Sequence, residues 1–94
     1  MSVDEFRRST GGDPPALPPA LLALWHDARG DWTAAHEAAQ RDETAAGAWV
    51  HAYLHRREGD LGNASYWYSR AGRKVPACGV EAEWDQIAGE LLKA

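Results

Sequence analysis

A Gly-Asp step occurs twice in this chain, at Gly30-Asp31 and at Gly59-Asp60, 29 residues apart. At the same offset Ala23 aligns with Ala52, His26 with His55, Trp32 with Leu61 and Ala35 with Ala64. A fixed internal period points to one supersecondary unit used twice. The chemistry of the step says which unit. Glycine supplies the left-handed residue that ends a helix, and an aspartate directly after it accepts a backbone N–H and starts the next helix. Each step therefore turns one helix back on another, which predicts two antiparallel helical hairpins.

The apolar residues flanking the steps have helical spacing. Leu61, Ala64, Trp67, Tyr68 and Ala71 share one face, opposite Asn63, Tyr66, Arg70 and Arg73. Trp32, Ala35, Ala38 and Ala39 make the corresponding face of the first hairpin, and Pro18-Pro19 suits a helix entry. Beyond Pro76, Cys78 and Gly79, a third stripe runs through Val80, Trp84, Ile87, Ala88 and Leu91, with Glu81, Asp85 and Glu90 outside it. A terminal helix with a polar outer face reads as a cap. The expected architecture is all-α: two hairpins and a C-terminal capping helix, with helices near 18–29, 32–41, 46–58, 61–72 and 80–92. Residues 18–94 form the single domain. Residues 1–17 show no periodicity and are expected to form a flexible N-terminal arm, broken at "STGGDPP".

Composition limits the function classes. Ninety-four residues give one core. Cys78 is the lone cysteine, which excludes an internal disulfide and a cysteine-built zinc site and fits a reducing cytoplasm. No apolar run is long enough for a bilayer, and the start is acidic and polar where a signal peptide needs an apolar stretch. A cytoplasmic protein without a membrane span is expected. A net charge of −4 argues against nucleic acid as a partner. The charge is uneven: residues 1–50 hold eight acids and four bases (−4), 51–76 two acids and five bases (+3), and 77–94 four acids and one base (−3). The basic middle segment offers a place for a small anionic ligand or an acidic partner. Phosphate-binding, dinucleotide-binding and nucleophile-elbow motifs are all missing, so no cofactor is expected.

The stretch "AWVHAYLHRREGDLGNASYWYSRAGRKVP" resembles a tetratricopeptide unit: a Gly-Asp turn, then Ala64, an aromatic at Tyr68, Ala71 and Pro76. Before the turn it departs, with Trp49 one residue nearer the glycine, Ala52 at a glycine position and His55 at a large apolar one. Its period is also shorter than the family's roughly 34 residues. The same stretch resembles small bacterial proteins of no assigned activity. The tetratricopeptide resemblance implies stacked hairpins with a concave face used for protein binding. On the helix over 46–58, Trp49, Tyr53 and Arg56 fall together, and the resemblance would set them on that concave face. Ala48, His51, Ala52 and His55 would then pack on the partner helix. A Trp/Tyr/Arg surface suits an interface, so Trp49, Tyr53, Arg56 and the adjacent Arg57 are the candidate partner-binding residues. A homo-oligomer, in which a second copy covers Trp49 and Tyr53, is the expected assembly.

The histidines define the competing possibility. His51 and His55, four apart on one helix, can share a metal. His26, His36 or Glu58 could supply a third ligand. His26 is preferred on the 29-residue offset, giving a His26/His51/His55 cluster, with Arg56 or Arg57 near enough for an anion. The helix lacks the glutamate of H-E-x-x-H. Three roles stand open for these imidazoles: hydrogen-bonded core packing, which is the favoured one, metal binding, or acid–base work.

Overall fold

The computed structural model describes residues 1–93, and within them it holds six α-helices and no strand. They are α1 (Val3–Ser9), α2 (Pro19–Ala28), α3 (Trp32–Gln40), α4 (Ala45–Arg57), α5 (Leu61–Ala71) and α6 (Val80–Lys93). The five helices expected from periodicity are present within a residue or two at each end. Both Gly-Asp steps have the predicted geometry. Gly30 and Gly59 are left-handed (φ 79° and 88°). The N–H of Asp31 bonds to the His26 carbonyl, and that of Asp60 to the His55 carbonyl, closing each helix in the same way. Asp31 then accepts from the Ala34 N–H, and Asp60 from the Asn63 N–H, to open the next helix.

Helix α2 packs on α3, and α4 on α5; α3 and α2 also meet α4. Helix α4 is the centre of the core, with a run of buried residues from Gly47 to His55. It is buried on nearly all sides because α6 returns across the face that α2, α3 and α5 leave open. The α6 stripe delivers Trp84, Ile87 and Ala88 into that gap, and the Trp84 indole N–H donates to the Leu24 carbonyl at 3.1 Å.

Part of the expected arm, residues 2–12, is tied to the rest of the chain. Residues 3–9 form α1, opened by a capping box in which Ser2 and Glu5 bond each other's backbone N–H groups. The Ser-x-x-Glu spacing was the available signal. The helix is too short to stand alone, and tertiary contacts hold it against α2 and α6. Phe6 is fully buried (0% exposed) and stacks on Trp84 at 5.5 Å between centroids. Ser9 accepts from the Trp25 indole at 3.1 Å, Arg7 pairs with Asp85, and Arg29 donates to the carbonyls of Thr10 and Gly12. Among the described residues no helix is long and apolar enough to cross a membrane.

Candidate metal centre

Residues 41–44 join α3 to α4, and the two helices meet in layers of side chains. In one layer Trp32 approaches His55 (6.4 Å between centroids), with its indole N–H directed at the Leu54 carbonyl at 3.5 Å. In the next, His36 faces His51. In the layer beyond, Ala39 and Ala48 line one cavity. Helical spacing arranges each side. Trp32 and His36, four apart on α3, stack at 4.7 Å, while His51 and His55, four apart on α4, stack at 5.0 Å. Trp67 of α5 lies against the His51 ring, 3.9 Å between centroids and 13° from parallel.

The result is a three-imidazole cluster of His36, His51 and His55, each offering a ligand atom within 4.8 Å of the other two. The Nε2 atoms of His36 and His51 are 2.9 Å apart, so one ring donates its N–H to the other. His55 presents Nδ1 to Glu58 Oε1 at 3.3 Å. A carboxylate on Nδ1 leaves Nε2 as the free lone pair and fixes the ring, which is the outer-shell arrangement that metal-binding histidines use. Burial, reinforced by the neighbouring imidazoles His36 and His55, pulls His51 down to about 4. His36 is lowered too, by burial first and then by the charge of His55. Both rings are therefore neutral at pH 7, the state a metal requires of its ligands.

The spacing fits a small divalent ion. A tetrahedral ion bound at about 2.0–2.1 Å keeps its ligand atoms about 3.3 Å apart. The His36–His51 pair would open only by a few tenths of an ångström to admit one. A second grouping, His55 with Glu58 and Asp60, has the same compactness. It is the weaker candidate, because Asp60 already spends both oxygens on the Asn63 N–H and side-chain amide.

The third histidine of the cluster is His36 and not the expected His26. His26 is not in the cluster; its ring lies edge-on to Trp25. The 29-residue offset sets His26 on α2 and His55 on α4 at corresponding places before a Gly-Asp step, but the fold does not group the two rings. The ring that meets His51 comes from α3, the helix immediately before α4. Trp32, His36 and Ala39 at i, i+4 and i+7 were the signal for that stripe.

Trp49, Tyr53 and Arg56 do not form the expected exposed surface. Trp49 is 4% exposed and Tyr53 0%. Helix α6 covers their side of α4, and its stripe was assigned only to capping. The Tyr53 hydroxyl donates to Asp27 at 2.7 Å, and Arg57 Nε lies 3.2 Å from the same buried carboxylate. Arg56 pairs with Glu83 at 2.8 Å, and Tyr68 donates to Glu83 as well. Arg56 further donates to the Cys78 carbonyl. Each buried carboxylate thus has one tyrosine and one arginine, the condition for burying charge without large cost. Burial raises Asp27 above the usual carboxylate range, against the pull of Tyr53 and Arg57. Burial likewise raises Tyr53 and Tyr68, aided by Asp27 and Glu83, so both hydroxyls stay protonated donors. Arg57, half exposed, is the one residue of the four that reaches solvent appreciably. No protein-family model, curated protein or solved structure matches the chain.

Proposed function

We propose that this protein binds a divalent transition metal of the zinc class through His36, His51 and His55, with Glu58 orienting His55. The observation that carries this reading is the convergence of three imidazole ligand atoms within 4.8 Å, two of them on rings that burial holds neutral. Imidazole donors suit zinc, copper, nickel and cobalt, and not the oxygen-seeking magnesium and calcium. Three protein ligands leave one position open, as in zinc sites that act on a bound molecule. The free thiol of Cys78 accords with a cytoplasmic setting. The test is zinc titration of untagged protein against a chromophoric chelator. One ion per chain is expected, with affinity falling by at least about 10- to 100-fold in H36A, H51Q and H55Q, the scale found even for outer-shell groups, and unchanged in H26Q. Binding indifferent to all three substitutions would refute the assignment.

A second reading, a protein-interaction or self-association module, is supported by one observation. Helix α5 packs chiefly on α4, reaches α6 through the Tyr68–Glu83 hydrogen bonds, and leaves Leu61 (63%) and Tyr66 (54%) in solvent. Leu61 is the 29-residue counterpart of Trp32, which the second hairpin covers. Light scattering over a micromolar concentration series tests it: a mass that stays monomeric removes self-association, and L61D should dissociate any dimer.

A further inference from the structure

A cavity of about 650 Å³ adjoins the histidine cluster, its walls including Ala39, Glu43, Ala48, His51, Trp67 and Arg70. Ala39 and Ala48 form the layer next to His36 and His51, and their small side chains create the space. His55 lies one turn to the other side. His51 is shared by the cluster and the cavity wall, so an ion held by the cluster would have the cavity beside it. The volume is that of sites that take small organic molecules.

The walls carry opposite charges that do not neutralise each other. Arg70 on α5 rests its guanidinium over Trp67 and Tyr66, 5.3 and 5.9 Å from the ring centroids, and donates to the Tyr66 hydroxyl at 3.2 Å. The aromatic faces hold this cation in place, and among the described residues it makes no ion pair. Also lining the cavity, in the α3–α4 connection, Glu43 is likewise without an ion-pair partner among the described residues, beside Asp42, whose Oδ1 is engaged by Thr44.

Building on the metal reading above, we infer that this cavity receives a small carboxylate with a cationic amine at its other end. The carboxylate takes the open metal position and pairs with Arg70, while the ammonium group points toward Glu43 and Asp42. The acidic wall selects against multiply charged anions, since like charges at short range are repelled. It also makes a one-ended carboxylate the poorer ligand.

The experiment is visible spectroscopy of the untagged cobalt(II)-loaded chain titrated with 4-aminobutyrate, acetate and inorganic phosphate. The cobalt bands should shift with 4-aminobutyrate at about one-tenth of the acetate concentration or less, and phosphate should be weaker still. R70Q should weaken both carboxylates by at least about tenfold, the scale of one charge-assisted hydrogen bond, with cobalt affinity and helix content unchanged. E43Q should remove the advantage of 4-aminobutyrate over acetate. Cobalt bands that no carboxylate moves, or an R70Q response equal to the parent's, would overturn the ligand assignment while the metal reading stands. A chain that forms no cobalt bands overturns both.

Discussion

Replacing Arg56 by methionine separates a surface arginine from a buried counter-ion. Methionine keeps most of the aliphatic stem, so the packing of α4 on α6 is largely preserved. The guanidinium is lost, and Glu83, 1% exposed, keeps only the Tyr68 hydroxyl. Breaking a buried ion pair from one side costs about 3–5 kcal/mol. Part of the cost is offset by relaxation toward water, and the lost bond to the Cys78 carbonyl adds to it. The expected loss is about 3 kcal/mol at pH 7, a fall in Tm of roughly 12–24 °C for a chain of this size. Urea unfolding followed by tryptophan fluorescence measures it. Adding E83Q to R56M should recover part of the loss. A penalty within about 0.5 kcal/mol at pH 7, the range of an ordinary surface substitution, would show that Arg56 is not the partner that Glu83 depends on.

Phe6→Ala should cost about 3–5 kcal/mol in denaturant unfolding, as for other buried aromatics; a negligible loss would return residues 1–17 to the status of a loose arm. Gly47→Ala should destabilise by about 1–3 kcal/mol, because a Cβ there would collide with the Asp42 carbonyl and side chain, and unchanged thermal unfolding would contradict that packing. The metal-free protein should lose stability on mild acidification. His51 titrates at about 4 when folded and near 6.5 when unfolded, so between these values the unfolded chain binds a proton that the native chain does not. Stability present above about 6.5 is lost toward pH 4, by up to about 3 kcal/mol; urea curves at pH 7.5 and 4.5, with EDTA, should show a smaller difference in H51Q.

The helices were legible because their signals are local. Gly-Asp steps and apolar spacing are written in neighbouring residues, and the five expected helices form where periodicity put them. The site was legible only in part, since which faces meet is decided by tertiary packing. His51 and His55 were correctly read as sharing a face, but that face meets α3 and not α2. Trp49 and Tyr53 lacked aliphatic neighbours in their own helix and so looked exposed. Their partners come from elsewhere, Asp27 for Tyr53 and Arg73 for Trp49, whose ring lies 3.3 Å beneath the guanidinium. The N-terminal helix escaped notice because it is short and its one fully buried residue, Phe6, shows no period.

X-ray absorption at the zinc edge of the untagged, zinc-loaded protein counts the imidazole ligands themselves. The expected spectrum shows three imidazole nitrogens bound at about 2.0–2.1 Å with one further light-atom ligand, falling to two imidazoles in H36A and unaffected by H26Q. A shell of oxygen atoms alone, or an imidazole count that H36A leaves unchanged, would contradict it.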